Sequence, residues 1–243
     1  MGAQRRVSDA GKLQVNCNNC SLDSICIPRG LAQQEVAHLS KVVRRQKTLQ
    51  RGDFIYRRGD PFTGVLAIKT GTAKIIVSDS QGNEHVLGVL LPGELLGFDA
   101  LSTDRHNCSA VALETLSFCQ LPAEKLENLC QSVPSLMREL FRHAGEKLND
   151  ETRQLILNKR PAEERLASFL ISLSDRSKSR GFSPLEFTLS LTRQEIGNHL
   201  GLALETVSRL LKKFQNFGLI QVNHKKIRIT DAERLRRIYN GPA

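Results

Sequence analysis

Glycine punctuation limits what this chain can fold into more than any other feature. Eight of its 17 glycines lie between Gly52 and Gly97. The runs they separate are short and rich in β-branched and aliphatic residues: Phe54-Ile55-Tyr56, Val65-Leu66-Ala67-Ile68, Ala73 to Val77 and His85 to Leu91. Regular turn signals between such runs predict an antiparallel barrel or jelly roll. A last strand is expected over Thr115 to Leu121, carrying Cys119, and apolar residues at Leu31, Val36, Leu39 and Val42 predict a short helix ahead of the barrel.

The rhythm changes after Pro134. From there to about Lys159 only Gly145 remains, and Met137, Phe141, Ala144, Leu148 and Leu155 follow a near seven-residue period. That predicts a helix of about 25 residues and about 40 Å with a seam for a partner helix, interrupted by Asp150 and Glu151. Pro161 breaks it. Beyond lie a helix from Ala162 to Ser174, a loop from Asp175 to Ser183, and a strand at Phe187-Thr188-Leu189. Helices then begin at Thr192-Arg-Gln-Glu195 and Ala203-Leu-Glu205, and a hairpin joins Leu219 to Val222 with Lys226 to Ile229. The pattern is α+β in four parts: a cysteine-rich loop (1–30), a jelly-roll domain (31–133), a long helix (134–160) and a winged helix-turn-helix domain (161–243).

The helix-turn-helix rests on local chemistry. Thr192 followed by Glu195 is a capping box, in which hydroxyl and carboxylate each satisfy an orphan backbone donor. Ile196 and Leu200 turn inward, Gly201 allows a tight corner, and Val207, Leu210 and Leu211 give the second helix a buried stripe. Its other face carries Glu205, Thr206, Ser208, Arg209, Lys212 and Lys213, side-chain types that read base edges or anchor phosphates. A merely solvated amphipathic helix would share that polarity, but not the order of capping box, corner glycine, charged helix and hairpin wing.

Charge agrees. The net charge is +10, and Pro161 to Ala243 holds 14 Lys and Arg against 8 Asp and Glu, a balance suited to a polyanion. No stretch approaches the roughly 20 apolar residues of a membrane span, and Met1 to Asn16 lacks a signal-peptide core, so a cytoplasmic protein without membrane attachment is expected. There a disulfide framework is not expected for the six cysteines. Cys17, Cys20 and Cys26, spaced C-x2-C-x5-C in a polar loop, point to a metal. Three thiolates call for a fourth ligand, with Cys119 a candidate and Cys108 and Cys130 its rivals; spacing alone leaves zinc and iron both open.

Several motifs together give the chain a family likeness: Cys17-x2-Cys20-x5-Cys26-Ile-Pro, Pro92-Gly-Glu-Leu-Leu-Gly-Phe-Asp-Ala, Ala112-Leu-Glu-Thr, Ala162-Glu-Glu-Arg-Leu, Arg180-Gly-Phe-Ser, Glu195-Ile-Gly-Asn-His-Leu-Gly-Leu and Glu205-Thr-Val-Ser-Arg209. Over nearly its whole length the chain resembles the FNR branch of the cyclic-AMP-receptor-like regulators. The resemblance implies a [4Fe–4S] cluster on Cys17, Cys20, Cys26 and Cys119, with no role for Cys108 or Cys130. It also implies a DNA-reading triad at Glu205, Ser208 and Arg209, and a two-fold site resembling TTGAT-N4-ATCAA. The Arg-Ser pair that holds cyclic phosphate in the cyclic-AMP branch reads Cys108-Ser109 here, which argues against cyclic AMP and leaves Glu94 as a turn residue. The chain departs from the branch at His143 and Lys147, where apolar dimer-helix residues are usual, and Asp150 matches the acid that opposes its symmetry mate.

The expectation that follows is a transcription regulator. Ala144 and Leu148 would form the homodimer seam, like charges at Asp150 or Glu151 would weaken it, and cluster binding would tip the balance toward a DNA-binding dimer. Oxygen would reverse that, and RNA polymerase would be recruited through barrel loops. The rival is a regulator with a structural zinc and a small-molecule effector. A redox enzyme is not expected, because no G-x-G-x-x-G follows a strand.

Overall fold

The computed structural model describes residues 17–240; the expectations for residues 1–16 and 241–243 lie outside them. A 3-10 turn at Cys17–Asn19 and a run of turns to Gly30 lead into α1 (Gln33–Val42). The barrel follows: β1 (Arg44–Arg45), β2 (Phe54–Tyr56), β3 (Gly64–Thr70), β4 (Ala73–Ser78), β5 (Glu84–Leu90), β6 (Leu95–Leu96), β7 (Ser109–Ala112) and β8 (Ser117–Pro122). Next come α2 (Ala123–Ser132), α3 (Pro134–Leu157), α4 (Ala162–Ser179), β9 (Glu186–Thr188), α5 (Arg193–Leu200), α6 (Leu204–Asn216), β10 (Ile220–Asn223), β11 (Lys226–Ile229) and α7 (Ala232–Asn240).

The barrel is two four-stranded antiparallel sheets, ordered β1-β8-β3-β6 and β2-β7-β4-β5. Side chains on a strand alternate between faces, and β3 uses both. Leu66 and Ile68 enter the barrel interior with Tyr56, Ala110, Leu116 and Phe118. Val65 and Ala67 turn outward into a second core with Ile27, Leu39, Leu121, Leu136 and Leu140. This double burial explains why β3 is a continuous apolar run instead of an alternating one.

A third core starts on the outer face of the other sheet, at Ile76, Val86 and Val111, and continues through Leu166 and Leu170 of α4 to Ile196, Phe214 and Ile227. The C-terminal domain is therefore packed on the barrel through a shared apolar layer. Its wing is the β10–β11 hairpin, extended by β9, with Ile220 opposite Ile229 and Ile227 opposite Phe187.

Helix α4 runs five residues beyond the expected end at Ser174, removing part of the expected loop. The strands β1, β6 and β7 and the helices α2 and α7 were not expected. The first two are only two residues long, and β7, Ser-Ala-Val-Ala, has one β-branched residue. On α7, Ala232, Leu235, Ile238 and Tyr239 pack on the core at helical spacing, a stripe the sequence reading passed over. Among the described residues no helix is long and apolar enough to cross a membrane.

Candidate DNA-reading face and cysteine site

The capping box forms as the sequence requires: Thr192 Oγ1 accepts from the Glu195 amide at 3.2 Å, and Glu195 Oε2 accepts from the Thr192 amide at 2.8 Å. Gly201 closes α5 at φ 63°, a conformation that other residues adopt only under strain. On α6, Val207, Leu210, Leu211 and Phe214 are buried. Glu205, Arg209 and Lys212 are exposed, while Thr206, Ser208 and Lys213 are half-buried. The six expected readers thus share one helix, but not one state. Lys213 is ion-paired with Glu163 and stands 5.7 Å over the Phe217 ring, with 42% of its side chain exposed. Arg193, which the sequence reasoning missed, places Nη1 3.4 Å from Ser208 Oγ and lines a groove with Arg209 and Lys212. A cation at the first residue of α5 was the available signal.

The cysteine loop is wound by its own backbone, with Asp23 bonding back to Cys20, Cys26 to Leu22 and Arg29 to Cys26. Cys17 is buried and its amide donates to Ser40 Oγ at 3.1 Å. Strand parity places the other cysteines. On β8, Phe118 faces the barrel interior, so Cys119 faces outward, into the core that holds Cys17 and Cys26. Cys108 lies inside the barrel, across the sheet from that loop. Cys130, on α2, is buried in the same outer core.

Burial pushes the Cys26 thiol up to about 12, and the charges of Cys119, Cys17 and Cys20 push in the same direction. Burial also raises Cys119, which Lys69 and Arg45 counter and Cys17 and Cys20 reinforce. Burial raises Cys17 as well. Four mutually opposed thiols are a donor set that a cation relieves, since metal binding removes their protons and neutralises their repulsion. Among the described residues no group of three or more His, Cys, Asp or Glu side chains is placed so as to hold a metal ion.

On α3, Phe141, Leu148 and Leu155 are 71, 64 and 68% exposed, an apolar line seven residues apart. Met137, Ala144 and Glu151 form the adjacent line. Glu151 thus lies on that line; Asp150 stands one residue aside, 3.6 Å from Arg153. His143 and Lys147 lie off this apolar line. The His143 imidazole is half-buried against the Cys26 backbone, and Lys147 reaches toward Gly88 on β5. Arg29 of the loop reaches Glu146 of α3 at 3.5 Å.

Glu94 does more than hold its turn. Its Oε2 accepts from the Leu91 amide at 3.1 Å, but both oxygens also take guanidinium donors from α4 and its C-cap, Arg176 and Arg180, at 2.5–2.8 Å. Burial would raise its pKa, yet the two guanidinium groups outweigh that and hold it below the usual carboxylate range.

Residues 46–133 match the cyclic nucleotide-binding domain family and residues 164–238 the Crp-like helix-turn-helix domain family. The chain is 40% identical over 229 residues to the transcriptional activator protein Anr of Pseudomonas aeruginosa, covering 94% of each. It is 40% identical over 235 residues to the fumarate and nitrate reduction regulatory protein of Escherichia coli, covering 96% of this chain and 94% of that one. The chain belongs to the Crp/Fnr family. It is a transcription regulator, not an enzyme. FixK2 from Bradyrhizobium japonicum has the same fold at a TM-score of 0.75 and 25% identity, covering 83% of this chain and all of that one. A Crp/Fnr regulator from Thermus thermophilus, TTHA1359, matches in fold at a TM-score of 0.63 and 22% identity, over 80% of this chain and 98% of that one.

Within this Crp/Fnr barrel, side chains fill the space around Cys108. Cys108 Sγ donates to Asp99 Oδ2 at 3.2 Å, Tyr56 Oη lies 3.4 Å from Asp99 Oδ1, and the His106 ring stacks on Tyr56 at 3.6 Å. A carboxylate at this place has the same sign as a phosphate and opposes its binding.

Proposed function

We propose that this Crp/Fnr protein is an oxygen-responsive regulator that holds a [4Fe–4S] cluster on Cys17, Cys20, Cys26 and Cys119, and binds DNA as a homodimer. The observation that carries the proposal is the parity of β8, which turns Cys119 outward to the loop bearing the other three cysteines. When bound, the cluster supplies a linkage among four thiolates that oxygen can break.

The chain's own residues give that linkage its consequences. The loop rests on α3 through Arg29 and Glu146 and through His143 against Cys26, so ordering the loop steadies the helix carrying Phe141, Leu148 and Leu155. Two such helices bury their apolar lines against each other, opposed by Glu151 meeting its mate. A coupling of about 1–3 kcal/mol is enough to change dimer occupancy substantially. Two α6 helices one DNA turn apart then read a two-fold site resembling TTGAT-N4-ATCAA, with Glu205, Ser208 and Arg209 at base edges and Thr206 and Lys212 at phosphates. Lys213 holds Glu163 and backs the helix. Barrel loops of the bound dimer meet RNA polymerase, and the genes controlled are those of anaerobic metabolism.

The test is iron and sulfide content after anaerobic purification of Cys119→Ser beside Cys108→Ser and Cys130→Ser. The proposal expects iron to be lost only with Cys119→Ser. Retention in that variant, or stoichiometric zinc in the unaltered protein, would overturn it.

A further inference from the structure

The Pro92-Gly93-Glu94 turn touches both the cysteine loop and the C-terminal domain. On one side, the Ile25 side chain, next to Cys26, lies directly over Gly93. A β-carbon on that glycine, whose φ is 88°, would stand 2.7 Å from Ile25 Cδ1. On the other side, Arg176 also donates to the Val89 carbonyl at 2.6 Å and Arg180 to the Pro92 carbonyl at 2.6 Å, besides their bonds to Glu94. The turn is pinned beneath by Ile68, whose amide donates to the Glu94 carbonyl at 3.0 Å and whose carbonyl accepts from Gly93 at 2.8 Å. Only 6% of the Arg180 side chain and 25% of Glu94 reach solvent, so water replaces these bonds poorly if the carboxylate is lost.

We propose that Glu94 is the positioning residue that seats the DNA-binding domain on the barrel, and that the Ile25–Gly93 contact makes this seat answer to the cysteine loop. The second half rests on the loop being the sensing element, as proposed above; the first does not. The route runs within one chain, from loop to turn to α4 and on to α5 and α6, and needs no passage through the helix seam. A shift of Ile25 moves the turn carrying Glu94, and two guanidinium groups fixed to one carboxylate carry that shift into α4.

The structure supplies its own reporter. The Val86 amide donates to Asn198 Oδ1 of α5, so its hydrogen exchange reads undocking of the domain, while the Leu116 amide, bonded to Leu49 within the barrel, serves as control. In the full-length chain, Glu94→Gln is expected to speed Val86 exchange at least about tenfold, equivalent to about 1.4 kcal/mol, with Leu116 unchanged. Arg180→Gln should do the same, and the double variant should fall well short of the sum of the two, because both substitutions break the Glu94–Arg180 contact. Ile25→Ala should speed Val86 about threefold or more through the turn alone. Unchanged Val86 exchange in Glu94→Gln, or additive effects in the double variant, overturns the seat. Acceleration by Glu94→Gln without any by Ile25→Ala overturns its link to the loop. Iron content measured on the same samples reports separately on the sensing proposal, so either can fail alone.

Discussion

Lys74 Nζ, on the barrel, lies 2.8 Å from Glu195 Oε1 of the helix-turn-helix. The other oxygen of that carboxylate caps α5 through the Thr192 amide. One side chain therefore starts the helix and fixes it to the barrel. Glu195→Gln keeps the capping geometry and removes the ion pair, for an expected loss of about 1 kcal/mol, whereas Glu195→Ala removes both and should cost about 2 kcal/mol. Urea unfolding of the two variants separates the effects; equal losses would contradict the dual role.

The domain junction should also be acid-sensitive. Burial alone would raise both Glu94 and Glu195, but the Arg176 and Arg180 groups at one and Lys74 at the other hold each below its ordinary 4.5. A depressed carboxylate stabilises the fold above its unfolded pKa, and that contribution disappears as pH falls through the folded value. Docking should therefore be constant above about pH 5 and weaken below about pH 4. Val86 exchange followed between pH 6 and 3.5, corrected for its intrinsic pH dependence, checks this.

On the reading face, Arg209 and Lys212 are both exposed cations, but different roles are expected. Arg209→Ala should lose about 1–3 kcal/mol on the specific site and little on random DNA. Lys212→Ala should weaken both alike and lower the salt slope by about one. Lys213→Ala, already paired with Glu163, should change the slope less. Binding titrations at several salt concentrations distinguish the three.

The seam proposed along the exposed apolar face of α3 includes Glu151 and leaves Asp150 beside Arg153. Glu151→Leu should tighten self-association about tenfold, or about 1.4 kcal/mol, and Asp150→Ala should do less. Sedimentation equilibrium of the metal-free chain measures both, and the reverse order would move the repulsion to Asp150.

How much of this was legible in the sequence depends on how local the cause is. The capping box, corner glycine and buried stripe of α6 are set within a few residues, and they form as expected. The barrel strands between glycines were legible for the same reason. The junction was not: Glu94 meets Arg176 and Arg180 across more than eighty residues, so the motif around Glu94 suggested only a turn. The surroundings of His143 and Lys147 were not legible for a similar reason. As sequence they interrupt an apolar helix position; in three dimensions His143 backs the cysteine loop and Lys147 the barrel, away from the exposed seam. That Cys119 faces the cysteine loop while Cys108 faces the barrel interior follows from strand parity, which expected strand boundaries alone do not fix.

The most direct measurement is the absorption spectrum and iron and sulfide content of anaerobically purified protein, followed into air while binding to a TTGAT-N4-ATCAA duplex is monitored. A brown protein with about four irons per chain that bleaches in air and releases the DNA is expected. A colourless protein that binds the duplex equally with and without air would contradict it.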